Sequence, residues 1–147
     1  MKRSPIKLAV AIILFVVSVQ WLVQYTRDAD RMLYDVEVSE TDQYDVLFIK
    51  FNLPMRYTSH FPEGKTDFVQ VRLQGLAHAA LDKHEHLTRA ALDPKHLRHI
   101  PLSDVVYEGN VPGGPFLSLR FSVPVVFEIQ EDRHLKGIRL LLPKSST

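Results

Sequence analysis

The stretch LFIKFNLPMRY, residues 47–57, has a counterpart in LSLRFSVPVVF, residues 117–127, at a constant offset of 70 positions. Both strings have leucine at the first position, a basic residue at the fourth and phenylalanine at the fifth. They also share proline at the eighth position and an aromatic ring at the last. Internal similarity of this kind is typical of a duplicated structural unit.

The alternation of apolar and other residues within each stretch predicts a strand with one buried face. Leu47, Ile49 and Phe51 alternate with Phe48 and Lys50, and the second stretch has the same period of two. The basic residue is therefore expected to face solvent. Proline cannot donate a ladder hydrogen bond, so the shared proline is expected at an edge, a bulge or a strand junction. The pattern predicts a strand that bends at the proline and continues.

Each stretch belongs to a longer β unit, which we predict over residues 34–75 and 105–143. In both units a short strand precedes the stretch, and a polar turn and another apolar strand follow it. The predicted fold class is mainly β, either a small β-sandwich or two related β units with a connecting helix, plus one N-terminal transmembrane helix.

The residues between the two units predict a helical connector over 76–104. Residues 76–92 contain neither glycine nor proline and are rich in alanine and leucine, and Asp93 and Pro94 would end the helix. Residues 144–147 form a short polar tail.

The N-terminus predicts a membrane anchor. The segment 8–25 is apolar apart from one serine, two glutamines, one tryptophan and one tyrosine, and it carries no charge. As a helix it would be about 27 Å long. A bilayer hydrocarbon core is about 30 Å thick. Trp21 and Tyr25 lie where an interfacial aromatic belt is expected. We predict an anchor over residues 1–25 and a stalk over residues 26–33.

The charges that flank this segment predict its orientation. Lys2, Arg3 and Lys7 precede it and favour a cytoplasmic N-terminus in a bacterial inner membrane, with the C-terminal domain in the periplasm. A cleaved signal peptide is the main alternative, but the segment lacks small residues before a cut site. A buried core helix is disfavoured, since little else in the chain would cover so apolar a helix.

Composition excludes several functional classes. The 147 residues carry a net charge of +1, so there is no overall basic field to hold nucleic acid. The chain has no cysteine, which rules out disulfides, thiolate metal sites and thiol nucleophiles. No hydrolase, metalloprotease or phosphate-loop motif occurs. We therefore predict a protein that is not an enzyme and carries no cofactor.

A mixed cationic and aromatic group follows the proline of the first unit. Arg56, Tyr57, His60 and Phe61 are of the types enriched at interface hot spots, so they are the candidate binding residues. In the alternative interpretation, Tyr57 and Phe61 fill the core while Arg56 and His60 are solvated.

Histidines in the connector are candidate metal ligands. His78, His84 and His86 lie within nine residues of one another, and imidazole suits zinc and copper. Their spacing matches no established zinc pattern, and a solvated connector that happens to be rich in histidine is the alternative.

The two β units resemble AMIN-type domains. The resemblance depends on the repeated Phe-x-x-Pro-x-x-aromatic pattern, the polar turn after it and strands such as residues 68–73. AMIN-type domains are β-sandwiches that attach amidases and secretins to peptidoglycan or to neighbouring envelope components. The arginine-proline pair and the acidic residue usual in their last strand are not found here.

The function expected from these observations is a membrane-anchored periplasmic binding or scaffold protein, an accessory subunit of an envelope complex. Its expected partners are membrane proteins or peptidoglycan, with the lipid bilayer contacted through residues 8–25. The alternatives are a peptidoglycan-binding envelope module and a histidine-rich metal-binding periplasmic protein.

Overall fold

The computed structural model describes residues 32–76 and 89–144, together with Ile13, residues 16–18 and Gln20. These last five residues are α-helical, and the side chains of Ile13, Val16 and Val17 are exposed.

The chain divides into two compact units, Met1–Asp30 and Arg31–Thr147. The second contains all the strands described and is called the two-sheet unit. In chain order the strands are β1 (Leu33–Glu40), β2 (Tyr44–Phe51), β3 (Met55–Phe61), β4 (Thr66–Gly75), β5 (Arg89–Leu92), β6 (Leu102–Glu108), β7 (Phe116–Val125), β8 (Glu128–Glu131) and β9 (Gly137–Pro143).

The strands form two antiparallel sheets. The four-stranded sheet has the order β1-β2-β9-β8, and the five-stranded sheet has the order β3-β4-β7-β6-β5. The prediction of a mainly β fold is confirmed.

The two predicted β units interleave. The first contributes the hairpin β1–β2 to the four-stranded sheet and β3–β4 to the five-stranded sheet. The second contributes β6–β7 to the five-stranded sheet and β8–β9 to the four-stranded sheet. If β1 to β4 are exchanged with β6 to β9, the order β1-β2-β9-β8 becomes β6-β7-β4-β3. This is the order of the five-stranded sheet without β5, given in reverse. Strand β5 has no counterpart in this exchange and extends the five-stranded sheet beyond β6.

The correspondence extends to pairing register. Leu33 of β1 pairs with Phe51 of β2, and the ladder shifts register immediately after this pair. Leu102 of β6 pairs with Phe121 of β7, and the ladder shifts at the same place. Both hairpins therefore carry the same irregularity at the same end.

The inward faces of both sheets form one hydrophobic core. Leu47 and Ile49 of β2 are fully buried, and so are Leu117 and Leu119 of β7. The alternation predicted from the sequence is therefore confirmed in both strands. The same cluster contains the alternate residues of the partner strands β4 and β9, namely Val69, Val71, Leu73, Ile138, Leu140 and Leu142.

The shared prolines lie where the chain leaves one sheet for the other. Pro54 is between β2 and β3, and Pro124 is near the end of β7, past the last residue that pairs with β6. Neither position requires an amide donor in a regular ladder, which agrees with the prediction from proline chemistry.

The helix predicted over residues 76–92 is wrong at its C-terminal end. Residues Arg89–Leu92 form strand β5, which pairs with β6 between Arg89 and Glu108 and between Leu92 and Val105. Ala90 is buried in the core while Arg89 is exposed, so pairing and burial outweigh the helix propensity of this alanine-rich sequence. The rest of the predicted helix, residues 77–88, lies outside the described residues.

The two-sheet unit also begins earlier than predicted. Met32 and Leu33, which were assigned to the stalk, are 3% and 1% exposed and belong to the core. The carbonyl of Met32 accepts a 3.0 Å hydrogen bond from the amide of Asn52, and that of Pro101 accepts a 2.7 Å bond from the amide of Ser122 at the corresponding place. The residue before the first strand of each β unit is thus hydrogen-bonded to the place where the chain of that unit passes from one sheet to the other.

Gly137 at the start of β9 faces Lys50 of β2 across the four-stranded sheet. A Cβ atom there would overlap the carbonyl oxygen of Ile49 and would lie 2.6 Å from Cε2 of the Phe48 ring. Only glycine leaves room for both groups at this position.

We expect Gly137→Ala to lower the free energy of unfolding by about 2–3 kcal/mol, because the added methyl group must displace backbone. Gly64→Ala is the matched control. It also adds a methyl group, which meets no atom within 4 Å, but at a φ of +85° it is strained, at a cost of about 1 kcal/mol. Urea unfolding followed by far-ultraviolet circular dichroism would measure both. A Gly137→Ala variant as stable as the control would contradict the prediction.

Candidate functional site

The first candidate site is where the edges of the two sheets meet. Strand β3 is an edge of the five-stranded sheet, and β8 is an edge of the four-stranded sheet. The amide of Tyr57 donates a 3.0 Å hydrogen bond to Oε1 of Glu131, and Nε of Arg56 lies 4.0 Å from the same oxygen. We call the group formed by Arg56, Tyr57, His60, Phe61, Val126, Phe127 and Glu131 the β3–β8 surface.

Three rings support one another on this surface. The hydroxyl of Tyr57 lies 2.7 Å from Nδ1 of His60, and the His60 ring meets the edge of Phe127 at a centroid distance of 5.4 Å and an interplanar angle of 63°. Tyr57 and Phe127 pack partly against the core. Burial, with a smaller effect of the charge on Glu63, raises the pKa of Tyr57, so its hydroxyl keeps its proton at neutral pH.

Two residues next to these rings in the chain have exposed apolar side chains. Phe61, next to His60 in the chain, is 75% exposed, and Val126, next to Phe127, is 54% exposed. The alternative in which Phe61 fills the core is therefore wrong, and Tyr57 is half-buried rather than fully buried. The four predicted binding residues lie on one strand, and three of them contact β8 or the residue before it.

After Arg56, the outer edge of β3 lacks the charges that usually protect edge strands. Residues 57–61 contain no lysine, arginine, aspartate, glutamate or proline. The edge strand β1 carries Asp35, Glu37 and Glu40, and β8 is short with a glutamate at each end. Charges, prolines and short length are how proteins prevent an edge from pairing with another chain. A bulge beside Thr58 interrupts β3, but residues 59–61 pair regularly with β4.

The second candidate site is a cleft of about 470 Å³ on the outer face of the four-stranded sheet. Its floor is the Phe48 ring, with Cζ of Arg139 4.6 Å and Nζ of Lys50 5.5 Å from the ring centroid. Lys136 and the exposed ring of Tyr34 also line it. Lys50, the basic residue of β2, faces outward, so the prediction from the alternation is confirmed, whereas the cleft itself was not predicted.

Asp132 is the buried carboxylate of this cleft, at 6% exposure. Burial alone would raise its pKa. The amide of His134 donates to Oδ2 at 3.1 Å, and Nη2 of Arg139 lies 2.8 Å from Oδ1. These bonds and the charge of Arg139 outweigh burial, so the pKa of Asp132 is held below its ordinary value of 3.8.

The predicted metal ligands His78, His84 and His86 lie outside the described residues. His96 and His99 are described and are exposed in the turns before β6. Within residues 32–76 and 89–144, no three histidine, aspartate or glutamate side chains come together to hold a metal ion.

The predicted anchor also lies mostly outside the described residues, including Trp21 and Tyr25. Among the residues that are described, no helix combines the length and apolar character needed to cross a membrane. The anchor and its interfacial residues remain predictions from the sequence.

Comparisons with known proteins found no match to any family model, any curated protein or any solved structure. The resemblance to AMIN-type domains therefore remains a prediction.

We expect Asp132→Asn to destabilise the fold at pH 7 by about 1.5 kcal/mol, the lower end for a hydrogen bond to a charged group. Because the folded-state pKa lies below the unfolded value, this stabilisation is present above about pH 4 and is lost as the pH falls through the folded-state pKa. Urea unfolding between pH 2 and pH 7 would measure both proteins.

The two stability curves should converge in acid. A constant difference between them at all pH values would show that packing, and not the charge of Asp132, is responsible. Asp42→Asn, in the exposed β1–β2 turn, is the matched control and should leave the curve unchanged.

Proposed function

We propose that the chain is a single-pass bacterial inner-membrane protein, not an enzyme, whose two-sheet unit docks a partner protein through the β3–β8 surface. Residues 8–25 would cross the membrane with the N-terminus in the cytoplasm and the two-sheet unit in the periplasm. The role is that of an accessory subunit of an envelope complex, with a membrane protein as the partner.

The observation that carries this proposal is the Phe61 side chain, which is 75% exposed at the end of an edge strand whose last five residues, 57–61, carry no formal charge. Aromatic side chains are enriched at protein interfaces relative to the rest of the protein surface. Binding hot spots combine an aromatic anchor with polar groups around it. Here Phe61 and Val126 are the apolar part, and Arg56 and Glu131 are the polar part.

The aromatic rings of the β3–β8 surface are preorganised for binding. The His60 ring is held between the Tyr57 hydroxyl and the edge of Phe127. A partner that packs against these rings loses little side-chain entropy in ordering them, which favours affinity. The regular pairing of residues 59–61 with β4 leaves their other edge directed outward, so an extended segment of the partner can add as a further strand.

Photo-cross-linking of the full chain in its native membrane tests this proposal. A photoreactive phenylalanine analogue at position 61 should give a discrete adduct with one partner protein, identified by mass spectrometry. The control places the same analogue at Ser39, which is exposed on β1 at the opposite edge of the four-stranded sheet. Equal adducts at both positions, or none at position 61, would rule the surface out.

Phe61→Asp should abolish co-purification of that partner after mild detergent extraction. The fold should be preserved, because the side chain makes little contact with the core, and an unchanged thermal unfolding midpoint would verify this. Retention of the partner by Phe61→Asp would contradict the proposal. Co-sedimentation with purified sacculi that the variant leaves intact would instead favour the peptidoglycan-binding alternative.

A further inference from the structure

The outer faces of the two sheets differ at corresponding positions. Lys50 faces Gly137 across β2 and β9, and Arg120 faces Phe68 across β7 and β4. On the five-stranded sheet the Phe68 ring occupies this position, with Cζ of Arg120 5.3 Å from its centroid. On the four-stranded sheet the position is a glycine, and the Phe48 ring of the neighbouring strand packs over it.

At the neighbouring pair of positions, the aromatic ring lies on the four-stranded sheet. Phe48 faces Arg139 on the four-stranded sheet, where the five-stranded sheet has Ser118 facing Gln70. Each outer face thus places a cation over an aromatic ring. Two cations, Lys50 and Arg139, lie over Phe48, whereas Arg120 lies over Phe68, and the cleft adjoins the Phe48 ring.

The cleft has an excess of positive charge. Lys50, Lys136 and Arg139 line it together with the single carboxylate of Asp132. Lys50 is paired with Glu37 and Arg139 with Asp132, but the side chain of Lys136 is exposed and has no ion pair with any described carboxylate. The buried Asp132, with Oδ1 2.8 Å from Nη2 of Arg139, also holds the guanidinium in place at the cleft.

We propose that this cleft binds the phosphate headgroup of an anionic phospholipid. Several cationic donors around one open space suit a phosphate, which has several acceptor oxygens. The Tyr34 ring, 61% exposed at the rim, is of the amphipathic type that lies at the headgroup level of membranes. Lys50 and Arg139 lie over the Phe48 ring, and Lys136 also lines the cleft.

The choice of a lipid over a free phosphate rests on the proposed anchoring. Only eight residues, 26–33, separate the predicted membrane segment from Tyr34. In that proposal the stretch, which spans roughly 30 Å when fully extended, sets the effective concentration of headgroups at the cleft. The leaflet would supply the ligand at high local concentration, so weak intrinsic affinity is sufficient.

The test uses the full chain in neutral detergent micelles and short-chain lipids that dissolve as monomers. Dihexanoyl phosphatidylglycerol is titrated while amide chemical shifts of Tyr34, Lys136 and Gly137 are followed by NMR. These shifts should saturate, and Lys136→Glu should weaken binding at least fivefold. Lys65→Glu is the matched control, because Lys65 is an exposed lysine in the β3–β4 turn, which corresponds to the turn of Lys136.

Parallel titrations with dihexanoyl phosphatidylcholine, inorganic phosphate and glycerol 3-phosphate separate the sources. Phosphatidylglycerol should bind at least fivefold more tightly than each of them. Equal binding of phosphatidylcholine would overturn the role of charge, and equal binding of inorganic or glycerol phosphate would overturn the role of lipid. An equal effect of the two lysine variants would overturn the site. None of these results depends on Phe61, so loss of the docking proposal and loss of this one are distinguishable.

Discussion

The structure of the two-sheet unit depends on the burial of one face of each sheet against the other. A four-stranded antiparallel sheet with one apolar face is not stable alone in water, because its apolar side chains need a cover. The two sheets provide this cover for each other through β2 and β9 on one side and β4 and β7 on the other. Each of these central strands places three alternate residues in the core. The side chains on the outer faces can then differ between the two sheets without loss of this core.

The sequence allowed most of this framework to be predicted. Periodicity located the buried residues of β2 and β7 correctly, because an alternation of period two has one interpretation when the partner face is apolar. The shared proline was expected at an edge, a bulge or a strand junction, and both prolines lie near the points where the chain passes from one sheet to the other. Strand β5 was missed, since an alanine-rich segment has no signal of its own for a sheet and its pairing with β6 depends on tertiary contacts. The interleaving of the segments was not predictable either, because a repeat does not specify which sheet each hairpin joins.

The candidate sites were predictable to a smaller extent. Composition identified Arg56, Tyr57, His60 and Phe61, because aromatic and cationic residues clustered on one predicted strand. Their contacts with Phe127 and Glu131 depend on two sheet edges that are about 70 residues apart in the chain. The cleft has a signal in the sequence: alignment of the two units places Phe48 and Arg139, which line it, at the positions of Ser118 and Gln70. Divergence between repeats is therefore as informative as their similarity when a binding surface is sought.

The interleaved order of the strands has a consequence for synthesis of the protein. The hairpin β1–β2 forms early in translation, but its neighbour β9 is made about 90 residues later. Hairpin β3–β4 likewise waits for β7. Contacts so distant in sequence slow folding and leave apolar faces uncovered in the meantime. The nascent chain therefore stays exposed to chaperones and proteases until its last strand has left the ribosome or the translocon.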